Sequence, residues 1–194
     1  MRSIVLVLFL TALVLPSAAQ DQTSASDLKG FRAEFIGQMV FTKGRVLELE
    51  QAVPQKLFTW RPARGVRSVS EVYRHIAFSN YAFIKSSGYG LPSDVTLEGG
   101  REKWDKMSTN RSEIANVLEN SFDAVIETVK AMSDADLEKQ IKVYGREMTL
   151  RNFMMSSLAH LHEHLGQSIA YARMNKVTPP WSAAQAASPK KNEH

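Results

Sequence analysis

Four segments of the chain carry apolar residues at spacings of three and four, which is the period of an amphipathic α-helix. The predicted helices cover residues 27–52, 68–87, 108–132 and 149–175. Each segment has one apolar face, and very little of the chain alternates as a strand does. The pattern therefore predicts an all-α fold, a four-helix bundle.

Turn-forming residues separate these segments. A loop with Trp60, Pro62 and Gly65 follows the first helix. Residues 88–107 are rich in Gly and Pro, which predicts a long irregular link with one short helical turn. Its length allows a crossover in the bundle. Residues 139–148 alternate between apolar and polar, which predicts a small β-hairpin.

Both ends of the chain are predicted to lie outside the domain. Residues 1–19 combine a basic start, an apolar run and small residues, as a secretory signal peptide does. Cleavage after Ala19 would give an exported, periplasmic or secreted protein with no stable membrane anchor. An uncleaved anchor is the alternative. Residues 182–194 have no apolar periodicity and are predicted to be a disordered tail, which leaves residues 27–181 as the domain.

The amino-acid composition excludes several kinds of site chemistry. The chain has no cysteine, which excludes disulfides, thiol nucleophiles and thiolate ligands. Its formal net charge is +4, but the basic residues are scattered and do not interleave with aromatic residues. We therefore expect no nucleic acid partner.

Three histidines form the candidate site. His160 and His164 are four residues apart on the fourth helix, so about 40° separates them on one face. Two imidazoles at this spacing can bind one metal ion. His162 points away from that face. His75 lies at the edge of the apolar stripe of the second helix and could supply a third imidazole, although a hydrogen-bonded core histidine is the alternative.

Two glutamates near these histidines are candidates for a supporting role at the site. Glu71 lies one turn from His75 and could orient its ring, or it could simply complete a capping box with Ser68. Glu163 points about 80° away from the face of the histidine pair. The His-Glu-x-x-His motif of zinc proteases is absent, because Leu161 follows His160.

The ordered set of motifs resembles the DinB/YfiT-like (DinB superfamily) proteins. It comprises Trp60-Arg61-Pro62, the run 69–77 around His75, His160-x-x-x-His164-Leu165-Gly166-Gln167, Tyr171-Ala172-Arg173 and Pro179-Pro180-Trp181. The resemblance covers about residues 28–181. It implies an unusual four-helix bundle with a three-histidine site for a divalent transition metal such as nickel, zinc or iron. The ligand role falls on His75, His160 and His164.

The resemblance also implies what such a site does. Characterised relatives include metal-dependent transferases and isomerases that use low-molecular-weight thiols, which are chiefly cytosolic, whereas this chain is predicted to be exported. We expect a metal-dependent transferase or hydrolase with a small-molecule substrate that approaches beside residues 88–107. A non-catalytic metal-binding or interaction bundle is the alternative. The resemblance leaves a homodimer open, but no apolar stripe is plainly surplus to the core.

Overall fold

A computed structural model describes residues 28–187 of the chain. Its helices and strands are α1 (Gly30–Ala52), α2 (Val69–Ser86), α3 (Gly100–Asp105), α4 (Arg111–Ala131), β1 (Gln140–Val143), β2 (Arg146–Thr149), α5 (Leu150–Met174) and α6 (Pro180–Ala187). Two short 3₁₀ helices cover Gln55–Leu57 and Asp134–Glu138. The predicted signal peptide (residues 1–19) and residues 188–194 lie outside the described range, so the leader stays a prediction.

The four long helices pack as a bundle around one apolar core. Helices α1 and α2 each pack against both α4 and α5, so α1 and α2 lie diagonally opposite each other. The long link thus joins two neighbouring helices, α2 and α4. The connections α1–α2 and α4–α5 are the ones that join diagonally opposite helices, and no crossover was predicted for either. Within the described residues, no helix is long and apolar enough to cross a membrane.

Helix boundaries follow local capping chemistry. The hydroxyl of Ser68 accepts a hydrogen bond from the backbone N–H of Glu71, and the Glu71 carboxylate accepts one from the backbone N–H of Ser68. Thr149 caps α5, as predicted. Helix α4 begins at Arg111 rather than near Ser108, because the side chain of Asn110 supplies the N-cap.

The C-terminal segment differs from its prediction. Helix α6 continues to Ala187, into the segment from residue 182 for which the sequence predicts disorder. Pro180 suits the first turn of a helix, and the alanines that follow favour its continuation. Trp181 packs on the core, and the Arg45 guanidinium lies 4.5 Å from the centre of its ring. A single aromatic anchor therefore replaces the apolar periodicity that the segment lacks.

The link between α2 and α4 is anchored by a reciprocal pair of hydrogen bonds. The indole Nε1 of Trp104 donates to the carbonyl oxygen of Arg74 at 3.0 Å, and Arg74 Nε donates to the carbonyl oxygen of Trp104 at 2.8 Å. Both side chains are buried. These contacts fix α3, the predicted short helical turn, against α2 in a defined position.

The predicted hairpin is present. Strands β1 and β2 pair antiparallel, and Val143 lies opposite Arg146. The two turn residues, Tyr144 (φ 51°) and Gly145 (φ 78°), both have positive φ. Positive φ at both positions is the conformation of a type I′ turn, which usually carries Asn-Gly.

One buried ion pair lies in the core away from the histidines. The side chain of Glu50 is fully buried, and neither of its carboxylate oxygens has a hydrogen bond among the described residues. Arg111 Nε lies 3.8 Å from its Oε1. Burial raises the pKa of Glu50 from 4.5 to about 7, and the charge of Arg111 offsets only part of that rise.

This raised pKa predicts a pH-dependent stability. Between pH 4.5 and about 7 the folded state keeps the Glu50 proton that the unfolded chain releases, so the stabilisation is lost as pH rises through that window. We expect Glu50→Gln to gain roughly 2 kcal/mol of unfolding free energy relative to wild type between about pH 5 and pH 8. Urea unfolding across this range measures the difference. Glu48→Gln, an exposed site on the same helix, is the control, and an equal pH response in the Glu50→Gln and wild-type proteins would contradict the prediction.

Candidate metal centre

The three predicted histidines come together in the seam between α2 and α5. The centre of the His75 ring lies 5.2 Å from that of His160 and 4.6 Å from that of His164. The centres of the His160 and His164 rings are 4.5 Å apart. One nitrogen from each of the three rings lies within 4.8 Å of the other two. The spacing of four residues on α5 thus gives the expected pair, and helix packing supplies the third ring.

Each ring has a partner on the side of its Nδ1 atom. Nδ1 of His164 is hydrogen-bonded to Gln167 Oε1 at 2.8 Å, and Gln167 in turn donates to the Tyr171 hydroxyl at 2.9 Å. Nδ1 of His75 lies 3.6 Å from Asp105 Oδ1, and Nδ1 of His160 lies 3.9 Å from Glu163 Oε2. This arrangement leaves Nε2 of each ring available as a metal ligand.

The environment favours neutral rings. Burial, together with the charges that His164 and His75 would carry, lowers the pKa of His160 to about 4. Burial also lowers the pKa of His164, although its hydrogen bond with Gln167 acts in the opposite direction. At neutral pH these two rings are therefore unprotonated, which is the form that binds a metal ion.

Asp105 is the supporting residue that the sequence did not reveal. It ends α3 and is buried, and its Oδ2 accepts a hydrogen bond from Arg67 Nε at 2.8 Å. Burial by itself would raise the pKa of Asp105, but the contacts with His75 and Arg67 outweigh it and hold the pKa below its ordinary value. A carboxylate therefore faces the Nδ1 atom of His75, as outer-sphere carboxylates do at many histidine metal sites.

Glu71 has the capping role and not the orienting one. Its carboxylate is taken up by the Ser68 backbone N–H and by Arg61 Nη2 at 3.1 Å. Sequence proximity pointed to Glu71 because it lies one helical turn from His75. Asp105 is thirty positions away along the chain, and only the anchoring of α3 by Trp104 and Arg74 brings it behind His75.

Ser79 is the polar neighbour of the histidines on the cleft side. Its Oγ lies 3.1 Å from Nε2 of His160 and 3.5 Å from Nε2 of His75. Serine is a small residue and therefore leaves room for an ion beside the rings. The structure adds that its hydroxyl is directed at the two nitrogens that are available as ligands.

A cleft of about 730 Å³ opens beside the histidines. His75 and His160 form part of its wall, and the apolar part of its lining comes from Phe78, Phe83 and Phe153. Arg101 of the long link between α2 and α4 also lines it. His75 is buried, whereas the side chain of His160 is 38% exposed. The histidines are thus reachable from the cleft.

The other residues singled out in the sequence lie at the margin or outside. His162 points away and hydrogen-bonds through Nε2 to Thr42 Oγ1 at 3.3 Å, as its helical direction predicted. Glu163 is off the histidine face but lines the cleft, with a side chain that is 77% exposed. Tyr171 packs edge-on against Trp60 at 5.4 Å.

The donor set fits a divalent transition metal. Imidazole nitrogens suit nickel, zinc and iron, three such nitrogens are close together, and two of the rings are held neutral. The buried Nδ1 of His75 and Oδ1 of Asp105 lack any other hydrogen-bond partner among the described residues. These two atoms can therefore complete a hydrogen bond with each other that holds His75 in the ligand orientation.

The structure is a mostly helical bundle with three histidines grouped beside a cleft. This fold and this site together define the class of protein. The sequence profile of the DinB superfamily matches residues 38–168, and the chain belongs to that family. No functionally curated protein matches it.

Two solved structures support the fold. A DinB-like protein from Bacillus cereus superposes with a TM-score of 0.64 at 20% identity, over 76% of this chain and 95% of that one. The DinB-like protein YjoA from Bacillus subtilis gives a TM-score of 0.58 at 18% identity, over 75% of this chain and 93% of that one. The predicted family is confirmed.

Matched variants can distinguish the contributions of Asp105 and Glu71 to metal binding. We expect Asp105→Asn to weaken metal binding by roughly tenfold, because outer-sphere carboxylates contribute about 10- to 100-fold to the affinity of histidine sites. Glu71→Gln should leave the affinity unchanged and alter only stability. Competition with a chelator of known affinity measures both variants. Equal affinities in the two variants would show that Asp105 does not support the site.

Proposed function

We propose that His75, His160 and His164 bind a divalent transition metal ion and that the protein is a metal-dependent enzyme, a transferase or hydrolase, acting on a small molecule in the adjoining cleft. The observation that carries this proposal is the position of the three rings. Their nitrogens converge within 4.8 Å, and two of the rings, His75 and His160, line a cleft of about 730 Å³. Three protein ligands beside an open cleft are typical of catalytic metal sites, whereas structural sites are closed by a fourth ligand.

The metal would supply Lewis-acid chemistry, which polarises a substrate group or favours ionisation of a bound water or thiol. The residues of the chain do the remaining work. Asp105 and Gln167 hold the rings of His75 and His164 in orientation through their Nδ1 atoms. Aromatic residues in the wall of the cleft offer a surface for the apolar part of a substrate beside the site.

Ser79 is the residue we assign to hydrogen bonding with the ligand. When Nε2 of His75 and of His160 serve as ligands, the Ser79 hydroxyl no longer has those acceptors. It lines the cleft and is free to donate to a ligand atom that approaches the site.

A non-catalytic metal-binding protein is the second candidate, and one observation favours it. Asp105 lies behind His75, and the Glu163 side chain is largely exposed. Within residues 28–187, no buried carboxylate therefore faces the histidines from the cleft as a general base would. Rapid exchange of a small ligand at the metal would favour the enzyme. A site that is closed to added ligands would favour the binding protein.

The metal assignment predicts the metal content of purified protein. We expect about one ion per chain in wild type, with affinity lowered by more than about 100-fold in His75→Ala and His160→Ala, since losing a ligand costs more than losing an outer-sphere partner. His162→Ala is the matched control, because that histidine lies on the same helix but outside the site. Elemental mass spectrometry of untagged protein measures the content. Retention of metal in both ligand variants would refute the assignment.

We also propose that the protein acts outside the cytoplasm, since residues 1–19 have the order of segments found in a signal peptide. Expression of the full chain in a bacterial host should yield a mature protein that begins at Gln20 in the periplasm or the medium. Intact-mass measurement of each fraction decides the matter. An uncleaved chain confined to the cytoplasm would contradict export without affecting the metal proposal.

A further inference from the structure

We propose that the cleft beside the histidines binds a small organic anion with an apolar body, whose negative group pairs with Arg101 and whose body is covered at the mouth by Tyr144. This inference rests on the proposed function, because it takes the cleft as the ligand site of the metal centre. It names the class of ligand, which the histidines by themselves leave open.

Arg101 is the residue of the cleft whose charge is available to an anionic ligand. Two residues with permanent charge line the cleft, Arg101 and Glu163. Glu163 lies 3.9 Å from Nδ1 of His160. The side chain of Arg101, in contrast, has no hydrogen bond or ion pair with any residue in the described range of 28–187. An unpaired guanidinium in a ligand cleft is suited to a carboxylate or phosphate group.

The backbone holds Arg101 in a defined place. Gly99 and Gly100, directly before it, have φ values of 83° and 72°. This left-handed conformation favours glycine, and a Cβ atom at Gly99 would also lie 2.4 Å from Lys103 Cδ. At the other end of α3, Trp104 is clipped to Arg74. The short helix is thus held at its C-terminal end, and Arg101 lines the cleft whereas its neighbour Lys103 does not.

The apolar lining defines the rest of the ligand. Phe78, Phe83 and Phe153 contribute aromatic surface to the same cleft, and the Phe83 and Phe153 rings pack 5.3 Å apart. A ligand that is charged throughout would leave this surface without a partner. The exposed lining is mainly apolar although polar side chains interrupt it, which fits an amphipathic molecule that places its body on the aromatic surface and its charge on Arg101.

Tyr144 provides an independent observation at the mouth. It sits at the tip of the hairpin, is 93% exposed and lines the cleft. Its φ of 51° is unfavourable for a residue with a large side chain, and asparagine would suit this turn position better. Neither packing nor turn formation accounts for a tyrosine here. A ring that covers the body of a bound ligand does account for it.

The test uses 3-phenylpropionate and its neutral counterpart 3-phenylpropanamide as probes, with binding to the purified protein followed by calorimetry or ligand-observed NMR. We expect wild type to bind the anion about tenfold more tightly than the amide, the size of effect given by one charge-assisted hydrogen bond. Arg101→Gln should abolish the preference at unchanged metal content. Lys103→Gln, an exposed cation on the same short helix, should retain it.

The Tyr144→Asn variant tests the mouth of the cleft with a second readout. We expect it to weaken binding of both probes several-fold, because the ring contacts the shared apolar body, while the midpoint of thermal unfolding stays the same or rises. Reduced stability with unchanged binding would show that Tyr144 only supports the turn and would overturn its role.

The outcomes separate this inference from the proposed function. Equal affinities for the two probes, a preference that survives in Arg101→Gln, or no binding of either probe at millimolar concentration would each overturn the anion assignment. Metal content measured on the same samples is an independent result. Protein that holds metal without preferring the anion refutes only this inference, and protein that prefers the anion without holding metal refutes only the metal centre.

Discussion

The packing of α2 against α5 is the constraint on which the site depends. It brings the ring of His75 within 4.6 Å of the ring of His164 and within 5.2 Å of that of His160. Three imidazoles at this distance cannot all carry a proton without strong repulsion. Burial and mutual proximity therefore keep the rings of His160 and His164 unprotonated, which is the form in which imidazoles could bind a metal ion.

The irregular link between α2 and α4 supplies two charged residues beside the histidines. Through the Trp104–Arg74 clip it places Asp105 behind His75 and Arg101 in the wall of the cleft. One end of this short helix thus supports a ligand residue, and the other end presents a free cation beside the same site. The bundle provides a rigid frame, and the segment that lacks periodicity provides much of the chemistry, as loops on rigid scaffolds commonly do.

The core contains two kinds of buried polar group with different consequences. Glu50 is buried beside Arg111 without a hydrogen bond to its carboxylate, and its pKa rises to about 7. Asp105 is buried too, but the contacts with Arg67 and His75 keep its charge favourable. The comparison shows why a single buried carboxylate suits the metal centre. Its Oδ2 accepts a hydrogen bond from Arg67, and its Oδ1 faces Nδ1 of His75 at 3.6 Å.

Local periodicity determined the helices, the pair His160 and His164, the capping of α2 and α5, and the hairpin, because each depends on residues within a few positions of one another. Together with the ordered motifs it also identified the family and added His75. Tertiary structure alone decided the positions of Asp105 and Arg101 beside the histidines, the diagonal order of the helices, and the helical course of residues 182–187. Those features depend on contacts between segments that are distant along the chain, such as Trp104 with Arg74 and Trp181 with Arg45, and a repeat of three or four residues contains no information about them.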